Sequence, residues 1–461
     1  MRISIVLVLA FLCQAAAAQQ ASIKKKLPIG VFDSGTGGLT ILEAIVTLDA
    51  FNNETGKPGS DGQQDFERES FQYLADQANM PYGNYAAANK TALLKEHILK
   101  NVDFFLQDKY DTRQENSFGK DGKPSVKMVV IACNTATAYA ITDIKEYVAN
   151  RNASMPVIGV IDAGVKAALE YQQSHPKGAI GVFATAGTVA SDGYPRTLRA
   201  MAQKMGMEEP VIVSQGGYGL AESIDRDFSY YSDTVKNARK EYRGPSLAHP
   251  LYPIDTSLLA AYRFNAENYK LLCEFDNTGK CLDIQLNDPA NYVRYHLVSL
   301  MEKMRKDDIR QPLNTLILGC THYPYMKDTI SNVLKELYNF QAGNQYPYRK
   351  YLADHVELID PGVETAKEAY IAMRKQKLEV GGKPVSSNEF FISVPNTGLK
   401  EVELQPDGWF TYAYKYGRNA GEGKEYVRYV RFDKVNIAEE TYQRFRQTLP
   451  DVYKRIQSTL K

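Results

Sequence analysis

Between Leu27 and about Lys375, short apolar runs alternate with stretches whose apolar residues recur at helical spacing. The runs Ile29 to Phe32, Phe71 to Ala75, Lys127 to Ala132, Val157 to Ile161, Ala179 to Ala184, Val211 to Ser214, Leu316 to Leu318 and Val356 to Ile359 read as buried strands. Helical patterns follow most of them, as over Leu39 to Leu48, Ala86 to Leu99, Thr135 to Val148 and Pro324 to Leu337. Repeated strand-helix alternation predicts an α/β fold with mostly parallel sheets flanked by helices. Polar, turn-rich stretches interrupt the pattern at Asn52 to Glu69, Asp111 to Pro124, about 226–291 and Asn339 to Tyr351, and read as surface insertions.

The chain also resembles itself. Ile29-Gly30-Val31-Phe32, followed by Asp33 and a glycine loop, returns as Ile180-Gly181-Val182-Phe183, followed by Ala184-Thr185-Ala186-Gly187. VVIACNTATA around Cys133 likewise returns as LILGCTHYPY around Cys320. Two such pairs in the same order predict two similar lobes, with an active site in the cleft between them. The expected division is 27–155 for the first lobe, completed by 340–376, and 156–338 for the second, with its insertion over about 226–291. Residues 377–461 form a C-terminal extension of different texture. There, Trp409 to Tyr416 and Tyr426 to Phe432 flank a Gly-rich turn and predict a β-hairpin, and a helical stretch runs from Asn436 to near Leu460. Its tyrosines are expected to pack on the neighbouring lobe.

Composition removes some classes. Among 461 residues, 55 Lys+Arg nearly balance 54 Asp+Glu, so no global field draws a polyanion, and no nucleic-acid partner is expected. An apolar fraction of 44% excludes a disordered chain. At the N-terminus, Arg2, the apolar run Ile3 to Leu12 and the small residues Ala16, Ala17 and Ala18 have the layout of a signal peptide over residues 1–18. The expected destination is export, to a periplasm; a buried helix, with a cytoplasmic chain, or a lipid anchor at Cys13 is the alternative. No later segment is apolar enough to span a bilayer. Export would favour a disulfide, and Cys273 and Cys281 bracket the turn Asn277-Thr278-Gly279, so the two are expected to close a hairpin.

Cys133 and Cys320 end their apolar runs and lead into polar residues, where open α/β sheets place ligands. One thiol in each half suggests inversion of a carbon centre, with one sulfur removing a proton and the other returning one to the opposite face. A free thiol is only a few per cent ionised at neutral pH, so each needs help. Asp33 is placed to assist Cys133, and His322 to assist Cys320. A turn-capping Asp and a structural His are the plainer readings. The loop Asp33 to Gly38 precedes a helix and suits a carboxylate better than a nucleotide phosphate, since it lacks G-x-x-x-x-G-K-[ST]. Ser34, Asn134, Thr135 and Thr321 offer hydroxyl and amide groups to an amino acid. No C-x-x-C supports a disulfide oxidoreductase.

The segments IGVFDSGTGGLTIL, DQANMPYGNY, VIACNTATA, VIGVID, GVFATAGTVASDGYP and LILGCTHYP, with LIDPG at Leu358, resemble the aspartate/glutamate racemase superfamily, and within it the glutamate racemases. The resemblance implies interconversion of L- and D-glutamate with neither pyridoxal phosphate nor metal, by a two-thiol mechanism. It implies Cys133 and Cys320 as the acid/base pair, assisted by Asp33 and His322. Asp33, Ser34, Tyr82, Gly83, Asn134, Thr135, Thr321 and His322 would then contact or support the substrate. A family glutamate supporting the second thiol corresponds to Asp225 or Glu222. Such enzymes supply D-glutamate for peptidoglycan. The leader, the insertion and the extension are unusual, and leave open another acidic substrate such as aspartate, or an exported binding protein without turnover. A homodimer is also left open.

Overall fold

The computed structural model describes residues 19, 22–108, 122–152, 154–382, 387–406, 408–422 and 426–460. The signal expected over 1–18, with Cys13, lies outside them, as does most of the insertion expected from Asp111. In chain order the strands are β1 (Ile29–Asp33), β2 (Phe71–Ala75), β3 (Met128–Ile131), β4 (Val157–Gly159), β5 (Ala179–Ala184), β6 (Ile212–Gly216), β7 (Leu271–Phe275), β8 (Cys281–Leu286), β9 (Leu313–Gly319), β10 (Leu352–Ile359), β11 (Glu389–Pro395) and β12 (Val427–Arg431). Two units emerge. One holds the described residues up to Val160 and those from Gly362 onward; the other is Ile161–Pro361.

The first unit is built on a six-stranded sheet in the order β12-β11-β2-β1-β3-β4. All its pairings are parallel except β11 with β12. Its central strands read as near-continuous apolar runs because both faces are covered. Phe32, Val129 and Ile131 share a core with Leu94, Ile98 and Phe105 of the helix Thr91–Leu106 and Ile144 of the helix Asn134–Ala149. The second unit has a four-stranded sheet, β10-β9-β5-β6, parallel throughout. Its helix Pro289–Lys306 starts on Asp288, whose carboxylate accepts from Ala290 N, and packs Val293, Leu297 and Leu300 with Leu316 and Leu318 of β9.

The internal likeness is topological. In each unit the chain builds one strand pair outward and then returns to the other side of the first strand. β1, β2, β3 and β4 therefore match β5, β6, β9 and β10. That correspondence corrects the expected lobe limits. β4 closes the first sheet beside β3, and β10 lies beside β9 in the second, so residues from 352 to 361 do not complete the first lobe.

The expected C-terminal hairpin is also corrected. β12 pairs with β11, not with Trp409 to Tyr416. Thr411 caps a short helix, Tyr412–Gly417, by accepting from Tyr414 N, so the aromatic alternation there serves helical packing, with the Tyr412 and Tyr416 rings 4.6 Å apart. The stretch after Asn436 is two helices, Glu439–Thr448 and Pro450–Gln457. Inside the insertion of the second unit, β7 and β8 form the antiparallel hairpin expected around Asn277-Thr278-Gly279, and a disulfide joins Cys273 to Cys281. Among the described residues no helix is long and apolar enough to cross a membrane.

Candidate active site

In the first unit, the strand order reverses at β1, and the C-terminal ends of β1 and β3 deliver Asp33 and Cys133 side by side. Asp33 turns its carboxylate back onto the glycine loop. Its Oδ2 accepts from Gly38 N at 2.8 Å and Gly35 N at 3.2 Å. A Cβ on Gly38 would collide with the Asp33 side chain, so only glycine lets the helix Leu39–Val46 begin this close. These amides, expected to face a guest carboxylate, are thus taken by the protein's own. Burial nonetheless raises the Asp33 pKa above the usual range, against the pull of those hydrogen bonds.

Cys133 precedes the helix Asn134–Ala149, and its sulfur accepts from Ala136 N at 3.4 Å. Ser34 Oγ lies 3.6 Å from the sulfur, and the Asp33 carboxylate is within hydrogen-bonding reach. Burial first, and the Asp33 charge second, push the thiol up to about 12. Cys133 is therefore a held thiol, with a base beside it. Asn134 and Thr135 form the half-buried first turn after it.

The second unit repeats the placement with different helpers. Cys320 follows β9 next to the end of β5, where Ala184 stands in the place of Asp33. Gly319 allows this approach: a Cβ there would meet Ala184 Cβ at 2.8 Å and the Tyr194 ring at 2.9 Å. His322 is the titratable group that stands beside this thiol. Its Nδ1 lies 3.7 Å from Cys320 Sγ and 3.5 Å from Thr321 Oγ1, and its Nε2 lies 3.1 Å from Asp225 Oδ2. Burial works to lower the His322 pKa. Bonding to Asp225 and Cys320 overrides it, bringing the ring up to about 10, so it is an imidazolium at neutral pH. Asp225, at the end of the helix Leu220–Ile224, makes this pair, and Glu222 in that helix does not.

Tyr82 and Gly83 lie beyond β2. Tyr82 is buried, and its hydroxyl donates to Asp76 Oδ2 at 2.5 Å, while Gly83 is half-exposed at the start of the helix Gly83–Ala87. Asp76 was not singled out from the sequence. It is fully buried and gathers Tyr82, Asn79, Asn101 (2.7 Å) and Ser393 (2.6 Å), while its own N donates to Asp33 O at 2.9 Å. The available signal was an Asp ending a strand, as Asp33 does. Among the described residues no cluster of His, Cys, Asp or Glu could hold a metal ion.

The sequence pattern of the Asp/Glu/Hydantoin racemase family matches residues 115–240. Glutamate racemase of Levilactobacillus brevis is 25% identical over 367 residues, covering 79% of this chain and 86% of its own. Glutamate racemase of Fusobacterium nucleatum is 28% identical over 267 residues, covering 58% and 78%. The crystal structure of a glutamate racemase from Bacillus anthracis covers 80% of this chain and 89% of its own, at 22% identity and a TM-score of 0.44. Within residues 115–240, which include Cys133, the chain is similar to the Asp/Glu/Hydantoin racemase family, and over most of its length it is similar to glutamate racemases.

Proposed function

We propose that this protein is an amino-acid racemase that interconverts L- and D-glutamate by proton transfer through two thiols. The observation that carries the reading is the placement of Cys133 and Cys320 at equivalent strand ends of the two units, each with its own proton partner. A thiol buried merely for packing needs neither a carboxylate nor an imidazolium beside it.

In the proposed reaction, one sulfur enters as thiolate and removes the α-proton, and the other delivers its proton to the opposite face. The reverse direction exchanges the roles. Asp33 accepts the Cys133 proton when that sulfur must act as base, and its raised pKa favours that transfer. His322, protonated and fixed by Asp225, directs an N–H toward Cys320 and stabilises negative charge as it develops on that sulfur. Backbone and hydroxyl groups of Ser34, Gly83, Asn134, Thr135 and Thr321 hold the substrate's carboxylates and ammonium. The D-glutamate formed serves peptidoglycan synthesis.

Incubation with L-glutamate in deuterated water tests this directly. Deuterium should enter the α-carbon with loss of optical rotation, and Cys133→Ala and Cys320→Ala should each lower racemisation at least about 10³-fold, the scale of a lost acid/base group, in a folded chain. Full activity in either variant would overturn the two-thiol reading; exchange with aspartate alone would move the substrate; exchange with no acidic amino acid would leave a binding protein.

We further propose export from the cytoplasm, supported by the leader pattern over residues 1–18 and by the Cys273–Cys281 disulfide. Chain recovered from its native compartment should begin at Gln19 and show free thiols only at Cys133 and Cys320. An intact Met1 with reduced Cys273 and Cys281 would refute it.

A further inference from the structure

The segment Met80-Pro81-Tyr82-Gly83 carries candidate substrate contacts, and its outer surface is open: Met80 and Pro81 are exposed. Its Tyr82 side chain is anchored on Asp76 at 2.5 Å, but its backbone has only long local ties, with Asn84 N donating to Pro81 O at 3.4 Å and Tyr85 N to Tyr82 O at 3.2 Å. The carbonyls of Met80 and Pro81 are bound from the far end of the chain. Lys415 Nζ donates to Met80 O at 2.6 Å, and Tyr416 OH donates to Pro81 O at 3.2 Å. The Tyr416 ring meets Tyr85 edge-on at 4.7 Å, and Arg418 Nη2 reaches Asn79 Oδ1 at 3.3 Å. From the other side, Ser393 Oγ accepts from Ala78 N at 3.0 Å and donates to Asp76.

The donors themselves are fixed. Thr411 caps the helix carrying Lys415 and Tyr416, and the Arg418 guanidinium after it stands over the rings of Tyr426, Tyr414 and Phe410 at 4.4, 4.9 and 5.0 Å. Lys415 is buried, so its ammonium binds the Met80 carbonyl with little competition from water. Two consecutive carbonyls of one loop are thereby gripped by two consecutive side chains of one helix.

We propose that Lys415 and Tyr416 are positioning residues, and that the C-terminal segment is a clamp holding Tyr82 and Gly83 in the conformation that receives the amino-acid substrate. This rests on the racemase reading above. A clamp of this kind acts on binding: releasing it lets the loop sample unproductive states, which weakens apparent affinity by the fraction lost while the proton-transfer groups stay intact.

The test pairs steady-state kinetics with amide hydrogen exchange on the full chain. Lys415→Met keeps the buried stem and removes the donor. KM for glutamate should rise roughly tenfold, as expected for a charged buried hydrogen bond, with kcat within about twofold. Tyr416→Phe should raise KM about threefold, and Lys415→Arg, which retains a donor, should recover most of the loss. The amides of Asn84, Tyr85 and Ala88 should exchange faster in Lys415→Met than in the wild type, while those of β1 and β3 keep their protection. Wild-type KM and unchanged exchange in a folded Lys415→Met chain would overturn the clamp, as would a fall in kcat and thermal midpoint with KM unmoved. Should the wild type racemise no acidic amino acid, the racemase reading fails separately, and hydrogen exchange alone decides: lost protection at 84–88 upholds the clamp, and unchanged protection removes it.

Discussion

Burial alone would strip the proton from His322, yet the ring keeps it to about pH 10 because Asp225 binds one nitrogen and Cys320 faces the other. Asp225→Asn removes the anion and leaves the burial. The His322 pKa should then fall from about 10 toward, or below, the ordinary 6.5, read by proton NMR of the imidazole ring. Linkage fixes the sign of the stability effect. A proton held more tightly in the folded state stabilises it fully below pH 6.5, and that contribution fades as pH rises toward about 10. Wild-type stability should therefore decline across this window and the variant's should be flatter. A ring titrating unchanged in Asp225→Asn would show that Asp225 does not hold it. The positions of Cys133, Cys320, Asp33 and His322 at or just beyond strand ends were legible in the sequence, because the apolar runs of a parallel sheet stop there. Asp76 was not. Its partners, Asn101, Ser393 and Tyr82, are spread along the chain, and a buried carboxylate is recognisable only once they converge.

At the level of elements, the central strands were the most legible. β2 and β5 fall on the expected residues, since a strand covered on both faces leaves a near-continuous apolar run, interrupted in β2 only by Gln72. The hairpin at Asn277-Thr278-Gly279 was legible for another reason: its turn residues and flanking cysteines act locally. What failed was pairing across sequence distance. β12 was sought a partner in the nearest aromatic stretch, but Phe390, Phe391 and Ile392 of β11 fill that place and continue onto β2, more than three hundred residues upstream. Alternating tyrosines cannot tell a strand from a helix stapled by i,i+4 ring contacts, whereas Thr411 three residues before the Tyr414 amide it caps is a helix signal that could have decided it. The lobe limits failed similarly, because β4 and β10 are assigned by the neighbour they pair with, and nothing local in either run names that neighbour.

Taken as a whole molecule, the chain is a duplicated four-strand plan to which the C-terminal segment adds two strands in one unit only. That segment reads as an appendage from the sequence, but its residues are structural members. Phe390, Phe391 and Ile392 are almost fully buried, and Tyr73 of β2 packs its ring against Phe390 and Phe432. Burying three such side chains is worth about 5 to 9 kcal/mol, comparable with the whole net stability of a typical domain. A chain ending at Lys377 would therefore leave β2 as a bare apolar edge, uncover Tyr73, and strip Ser393 from the buried Asp76 carboxylate. It should accumulate as insoluble protein, with no cooperative thermal transition in whatever fraction stays soluble. A chain ending at Asp433 keeps β11 and β12 and loses only the two terminal helices, whose contacts include Val452 N on Glu43 at 2.8 Å and Arg455 over Phe71. It should remain soluble, with a lowered unfolding midpoint. Soluble, cooperatively unfolding protein from the shorter construction would mean that the sheet is complete at β2, and that β11 stabilises nothing the remaining strands require.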